Sequence, residues 1–360
     1  GFVFAPGPFN FTSISANLAT APALMGTSVL WKPSPAASLA SMMILEILQE
    51  AGLPDGVINF INGDPSEIAK VALTHPKLAG VHFTGSTKTF EHIWQQISNN
   101  LNRYQNYPRL VGETGGKDFI FAHQSADPQA LVTAMIRGAF EYQGQKCSAA
   151  SRAYIPSSLW EKIKTPLADL TNSIKMGAPS DLSNFMCSVI DKKSYDKVKG
   201  FIDHCKKESD TEILCGGECD DQKGYYIRPT IAVCKNPKAK SMQEEAFGPL
   251  LSVYVYPDKD LQHSLELCNS SNYALTGAIF ARDRHIIDSL STSLQYAAGN
   301  FYINDKPTGA VVGQQPFGGS RKSGTNDKAG SEINLLKWVS HRTIKETFIP
   351  TYNYRYPHMS

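Results

Sequence analysis

The chain has 360 residues, 42% of them apolar, and carries 35 Lys+Arg against 33 Asp+Glu. That length and apolar share support two or three folded units with ordinary cores and argue against global disorder. The near balance of charge gives no electrostatic reason to expect nucleic acid or an anionic membrane surface as a partner. No run of about 18 apolar residues reads as a membrane span. Seven cysteines in no paired framework point to reduced thiols in a reducing compartment. Cys215 and Cys219 are close together, but no second pair or histidine stands at zinc-like spacing, so no metal is expected.

The elements follow in order. Gly1-Phe2-Val3-Phe4-Ala5 reads as a strand already under way, which we take as the later part of a longer protein. A helix through Leu24, a strand at 29–32 and a helix carrying Leu39, Met42, Met43 and Ile47 at helical spacing come next. Residues 57–61 form a strand, 66–74 a helix, 80–83 a strand, and Thr84-Gly85-Ser86-Thr87 opens a helix to about Ile97. Leu110-Val111-Gly112 begins a second region. There, strands near 119–121, 152–155, 211–214, 225–227, 250–256, 275–280 and 299–303 alternate with helices near 127–141, 157–174, 192–207, 260–269 and 284–296. Beyond 332, Trp338-Val339-Ser340 and Thr343-Ile344 suggest a late strand and tail. The alternation predicts an α/β fold of doubly wound, largely parallel sheets.

One stretch stands out: Glu141-Tyr142-Gln143-Gly144-Gln145-Lys146-Cys147-Ser148, a cysteine after a Gly/Gln turn at a helix–strand junction. Such a thiol can face a cleft, and nearby positive charge or helix N–H groups favour its thiolate. Alone it is weak, since buried cysteine mostly acts as a small hydrophobe. It gains weight from its companions: Pro8-Phe9-Asn10-Phe11, Trp31-Lys32-Pro33-Ser34, Phe83-Thr84-Gly85-Ser86, Glu113-Thr114-Gly115-Gly116-Lys117, Glu244-Glu245-Ala246-Phe247-Gly248-Pro249 and Pro316-Phe317-Gly318-Gly319. In this order, with Glu113 standing 34 residues before Cys147, they resemble the aldehyde dehydrogenase superfamily. Residues 299–306, 308–315 and 323–328 resemble its branch that oxidises L-glutamate 5-semialdehyde to L-glutamate in proline breakdown.

The resemblance implies a fold and a set of roles. Residues 1–112 would be the later part of a cofactor-binding domain, 113–315 a catalytic domain, and 316–360 a return segment with an oligomerisation strand within 336–349. Cys147 would attack the aldehyde as thiolate, the Asn10 amide and the Cys147 N–H would hold the oxyanion, and Glu113 would activate water against the thioester. Lys32 and Ser34 would reach the adenine ribose of NAD, Gly85, Ser86 and Thr87 the pyrophosphate, Glu245 the nicotinamide ribose, and Phe247 would pack beside it. Pro35 stands where many NAD-using relatives carry an acid, so the residues leave NAD and NADP open while the branch implies NAD. Ser148 with Gly309 and Ala310 would hold the substrate's carboxylate end, and Phe11 and Phe317 its aliphatic part. The branch further implies a homodimer or higher homo-oligomer in the mitochondrial matrix, acting on a small molecule. A relative acting on another small semialdehyde, and a non-catalytic scaffold on the same fold, are the alternatives.

Overall fold

Short apolar strands that alternate with helices bury both their faces only if the helices cover a parallel sheet from both sides. The computed structural model, which describes residues 1–359, contains two sheets of that kind. The first comprises β1 (Phe2–Pro6), β2 (Ser28–Lys32), β3 (Ile58–Phe60), β4 (Leu78–Thr84) and β5 (Arg109–Glu113). Their spatial order is β3-β2-β1-β4-β5 and every pairing is parallel. Helices α1 (Thr12–Leu24), α2 (Ser38–Glu50), α3 (Pro65–Ala72) and α4 (Thr87–Asn99) form the crossovers. The order reverses beside β1, so the carboxyl ends of β1 and β4 flank a crevice, the usual ligand position in such sheets. Local chemistry starts the helices: Asp64 accepts from the Ser66 and Glu67 N–H groups to cap α3, and Ser86 accepts from Thr89 N–H to cap α4.

The second region contains β6 (Asp118–Ala122), β7 (Ala150–Pro156), β8 (Thr211–Cys215), the two-residue pair β9 (Cys219–Asp220) and β10 (Tyr226–Ile227), β11 (Thr230–Cys234), β12 (Leu250–Tyr256), β13 (Tyr273–Ala274), β14 (Thr276–Phe280), β15 (Asn300–Ile303) and β16 (Ser320–Arg321). Seven of them form a sheet of order β15-β14-β6-β7-β12-β11-β8, parallel except between β11 and β8. Helices α5 (Pro128–Phe140), α6 (Ser157–Asn172), α7 (Lys192–Lys207), α8 (Lys240–Gln243), α9 (Leu261–Asn269) and α10 (Arg284–Ser293) accompany it, and α11 (Glu332–Leu336) follows. Asp127 caps α5 with Pro128 in its first turn, as the sequence predicts.

The structure departs from the sequence reading or adds to it at four places. Residues 110–112 do not open the second region. They belong to β5, whose register with β4 sets Phe83 beside Gly112 and Thr84 beside Glu113. The sequence reading also passed over β11, a five-residue apolar run hemmed in by Pro229 and Pro237 that resembles the end of the neighbouring segment. The apolar spacing of α2 marks a helix, but Leu39, Met42, Met43 and Ile47 face outward. Its buried side chains are Ser41 and Leu45, with Leu45 set among Val29, Trp31 and Ile58. Finally, a single copy of the chain forms no strand within 336–349, and the oligomerisation strand expected there would take its partner backbone from a neighbouring copy. A strand exists only by pairing with another backbone, and in this chain Ile344, Phe348 and Ile349 stay exposed.

What does return to the first sheet is Trp338, buried against Val3, Ala21 and Val111 and 4.9 Å from the His82 ring. The Arg109 guanidinium donates to the Lys337 carbonyl beside it. Removing a buried indole loses its transfer free energy and leaves a cavity. Trp338→Ala is therefore expected to destabilise the protein by about 3–5 kcal/mol, read as a lowered denaturation midpoint. A change within about 0.5 kcal/mol would show the return segment is only draped over the sheet.

Candidate active site

The carboxyl edge of the first sheet faces the amino edge of the second, and Thr114-Gly115-Gly116-Lys117 crosses between them. This crossing sets the site. A Cβ on Gly116 would lie 2.3 Å from the Cys147 carbonyl oxygen, and one on Gly115 would lie 2.5 Å from Glu245 Oε2. Only glycine lets the backbone pass so close to both. Gly116 N–H donates to Glu245 Oε1 at 2.9 Å, which aims that carboxylate.

Cys147 follows a strained turn. Tyr142 (φ 55°) and Gln143 (φ 58°) both sit in the left-handed region, which side chains with a Cβ disfavour. Gly144 (φ 64°) completes the turn, and its absent Cβ would lie 2.5 Å from Gly248 O. Two side chains that the sequence reading did not single out clamp it. Gln143 Oε1 accepts from Cys187 N–H at 3.0 Å, and Gln145 Oε1 accepts from Ile190 N–H at 2.9 Å. Asn10, 8% exposed at the end of the 6–10 loop after β1, donates through Nδ2 to Gln145 O at 3.0 Å. An amide carries two N–H donors, so the other is left without a protein acceptor among the described residues. Burial pushes the Cys147 thiol well up. The Glu113, Asp118 and Glu245 carboxylates add to the effect, and the Ser148 N–H directed at the sulfur opposes it.

Glu113 is the last residue of β5. A Cβ on Gly318 would lie 3.3 Å from its Oε1, and one on Gly324 3.1 Å from its Cα. Burial raises its carboxyl to about 8, with Lys328 opposing and Asp327 adding. Beneath Cys147 lies a charged cluster with no signal in the motifs beyond the Gly-Gly-Lys run. Lys117 is pushed down to about 7 by burial and by Arg152 beside it. Asp118, whose Oδ1 accepts from Thr276 N–H at 2.7 Å, is pushed up to about 8, chiefly by burial. Asp118 Oδ2 is buried with no partner among the described residues. Arg152 donates to the Lys117 carbonyl at 2.7 Å and to Tyr154 Oη at 3.0 Å.

The residues assigned to a cofactor line the carboxyl edge of the first sheet. Lys32, at the end of β2, is 4% exposed rather than a solvated charge, and donates to Pro33 O at 2.9 Å. Burial lowers its pKa, with Asp64 opposing. Ser34 precedes the turn Pro35–Ala37. Gly85 and Ser86 lead into α4, and Thr87 Oγ1 accepts from Gly115 N–H at 3.3 Å, tying that helix to the crossing. Phe247 (φ 60°) packs edge-on against Phe9 at 6.0 Å.

Of the residues expected at a substrate, Ser148 meets the 308–310 loop, while Phe11 and Phe317 have other neighbours. Ser148 Oγ lies 2.7 Å from Thr308 Oγ1. Lys306 Nζ donates to Thr308 O at 3.1 Å, and Gly309 has φ 90°. Among the described residues, the Gly309 and Ala310 N–H groups donate to no protein acceptor. Phe11 stacks on Tyr142 at 6.0 Å, and Phe317 bridges to Ala329 at the mouth of the Gly318 turn.

Asp118 gives a test of this electrostatic picture. Its folded carboxyl keeps a proton to higher pH than the unfolded one, so its contribution to stability is fully present below about pH 4 and is lost as pH rises towards 8. Asp118→Asn keeps the acceptor for Thr276 and cannot ionise. The variant is expected to gain on the parent between pH 5 and 8 in denaturant titrations. A difference independent of pH over that range would show that Asp118 is ionised in the folded protein.

Comparison with known proteins follows the same lines. The aldehyde dehydrogenase family pattern matches residues 1–344. Mitochondrial delta-1-pyrroline-5-carboxylate dehydrogenase of Dictyostelium discoideum is 53% identical over 362 residues, covering 100% of this chain and 65% of that protein. The Homo sapiens protein of that name is 49% identical over 361 residues, covering 100% and 64%. The NAD-bound crystal structure of Delta-pyrroline-5-carboxylate dehydrogenase from Mycobacterium tuberculosis superposes with a TM-score of 0.94 at 53% identity, covering 100% of this chain and 66% of that one. The chain thus spans about 65% of the length of the first of these curated relatives. The match extends over nearly every element described above, and the chain belongs to the aldehyde dehydrogenase family.

Proposed function

We propose that the protein oxidises L-glutamate 5-semialdehyde, the open form of 1-pyrroline-5-carboxylate, to L-glutamate with NAD, as a step of proline breakdown. The observation that carries the substrate assignment is the Ser148–Thr308 contact, which brings the free N–H groups of Gly309 and Ala310 next to the residue following Cys147. Two backbone donors and a hydroxyl suit a carboxylate, and the half-buried Phe11 and Phe317 suit the short chain that separates it from the aldehyde. The names of the relatives support the same substrate.

The donor set fits a dinucleotide. Lys32 keeps ammonium N–H groups beyond the one bound to Pro33 O, the N-terminus of α4 offers N–H groups to a pyrophosphate, and Glu245 can accept from ribose hydroxyls. The NAD in the Mycobacterium tuberculosis structure supports this choice. In the chemistry, the Cys147 thiolate adds to the aldehyde carbon and the carbonyl oxygen becomes an oxyanion, held by the spare Asn10 N–H and the Cys147 N–H. When bound, NAD supplies the acceptor for the hydride that leaves this carbon. What then remains on Cys147 is a thioester. Glu113 takes one proton from water, the water oxygen adds to the thioester carbon, and the C–S bond breaks to give the thiolate and the carboxylic acid, which then loses its own proton to solvent as the carboxylate product. Burial suits Glu113 to this task, because a base is most useful with its pKa near the working pH.

The same reading assigns residues 1–112 to cofactor binding, 113–315 to catalysis and 316–360 to a return segment with an oligomerisation strand and tail. The assembly would be a homodimer or higher homo-oligomer, and the setting the mitochondrial matrix, which the mitochondrial names of relatives support.

NADH formation with 1-pyrroline-5-carboxylate, measured in the full-length protein, tests the proposal. Cys147→Ala should abolish it, and Asn10→Ala should lower it by about 10²–10³. Glu113→Gln should preserve a first-turnover burst of NADH while slowing steady turnover by about 10² or more. Parent turnover should rise with pH towards about 8 as Glu113 loses its proton. Oxidation of other aldehydes but not this one would refute the substrate, and a folded protein that oxidises none would favour the scaffold.

A further inference from the structure

We propose that Lys328 is a positioning residue for the hydrolytic base: its ammonium fastens the Gly318 turn, which packs against the Glu113 carboxylate, to Gly299. The inference rests on Glu113 acting as the base.

The geometry converges on one turn. Lys328 Nζ donates to Gly299 O at 2.7 Å and to Gly318 O at 3.0 Å. Gly318 is wedged between the two charged residues. A Cβ there would lie 3.3 Å from Glu113 Oε1 and 3.3 Å from the Lys328 backbone nitrogen. Nor can the turn slide away, because a Cβ on Gly299 would lie 1.9 Å from Gly318 O. The 317–329 strap is closed at its base by paired hydrogen bonds, Phe317 N–H to Ala329 O at 2.9 Å and Ala329 N–H to Phe317 O at 2.7 Å. Lys328 itself sits at φ 50°, a conformation disfavoured for any residue with a Cβ and kept only where the surroundings impose it. An ammonium carries three donors; one goes to the carbonyl of Gly318, on the turn that touches Glu113, and one to Gly299 before β15, so that the lysine ties the two together.

The charges around the base single out this lysine. Among the described residues, the charged and titratable groups that bear on Glu113 are Lys328, Asp327 and the Cys147 thiol. Asp327 pushes the same way as burial and is itself paired with Lys337 Nζ at 2.9 Å. Lys328 alone pulls towards the carboxylate, and Glu113 in turn is the group that opposes the burial of the Lys328 ammonium. Without that cation the base would hold its proton to still higher pH. The lysine therefore sets both where the carboxylate sits and the pH at which it can accept a proton from water.

Three variants of the full-length protein test this. Lys328→Gln removes the charge while keeping N–H donors, Lys328→Met removes both, and Lys328→Arg keeps the charge. Each is compared by first-turnover NADH burst, by kcat and KM against pH, and by the Glu113 carboxyl band in infrared titration, identified through its loss in Glu113→Gln. The expected result for the Gln and Met variants is an intact burst, kcat lower by about tenfold, KM little changed, and an acidic limb moved up by about one pH unit. Lys328→Arg should restore most of the rate and the position of the limb. A limb and carboxyl titration unmoved in Lys328→Gln would overturn the proposal, as would loss of the burst in all three. If the parent oxidises no semialdehyde, the functional reading fails on its own, and the carboxyl titration still decides whether Lys328 sets the Glu113 pKa.

Discussion

The whole site hangs on one close approach of backbone to backbone. Between Glu113, the end of the first sheet, and Asp118, the start of the second, the chain has only four residues, Thr114, Gly115, Gly116 and Lys117. Gly116 lies so near the Cys147 carbonyl, and Gly115 so near the Glu245 carboxylate, that a methyl group at either position would displace its neighbour. Cys147, the proposed nucleophile, Glu113, the proposed base, and Glu245, the carboxylate proposed for the cofactor ribose, therefore share a single crossing. Thr87 fastens the first helix turn of the cofactor side to the same crossing through Gly115 N–H. Moving one of these groups moves the others.

Placing the site at a seam between two sheets also decides its electrostatics. Burial is the largest influence on Glu113, Asp118, Glu245 and Cys147, and it raises all four. It also lowers Lys117. In each case the low-dielectric surroundings favour the neutral form. The resting site is thus a set of acids that tend to keep their protons and a thiol that tends to stay a thiol. Charge is favoured at specific points: Ser148 N–H at the sulfur, Gly116 N–H with Lys197 and Lys117 at Glu245, Thr276 N–H at Asp118, and Lys328 at Glu113. Such a site keeps its strongest electrostatic response for charge that develops during reaction, where preorganised donors count most.

Backbone strain is concentrated in the same place. Tyr142 and Gln143 before the nucleophile, Phe247 beyond Glu245, and Lys328 behind Glu113 all take positive φ without being glycine. Each is held by packing or hydrogen bonds that over-determine it. Tyr142 stacks on Phe11, Phe247 packs on Phe9, the Gln143 side chain binds the Cys187 N–H, and Lys328 bridges two carbonyls. These contacts join the 6–10 loop, the 142–147 turn and the loop around 247 into one rigid frame. The strain buys a fixed thiol at the cost of local stability, the common arrangement at functional sites.

Much of this was legible in the residues. Alternating apolar strands and capped helices read as a doubly wound α/β fold because those patterns act locally. Asp64, Ser86 and Asp127 satisfy helix N–H groups within three residues of themselves. Cys147, Glu113 and Asn10 could be named as candidates because their neighbours carry a recognisable order. Other features needed the tertiary structure. The outward apolar face of α2, the assignment of Arg109–Glu113 to the first sheet and the unpaired 336–349 segment depend on which surfaces and backbones meet, and periodicity does not encode that. The same holds for Asp118, Gln143, Gln145 and Lys328, whose partners lie far along the chain and whose importance comes from burial. Sequence by itself determined the order of elements, which follows from short-range chemistry, and named the candidate reactive groups through the order of their motifs. Only the tertiary structure decided the protonation tendencies of those groups and the residues that hold them, since desolvation and long-range hydrogen bonds arise only when distant segments pack together.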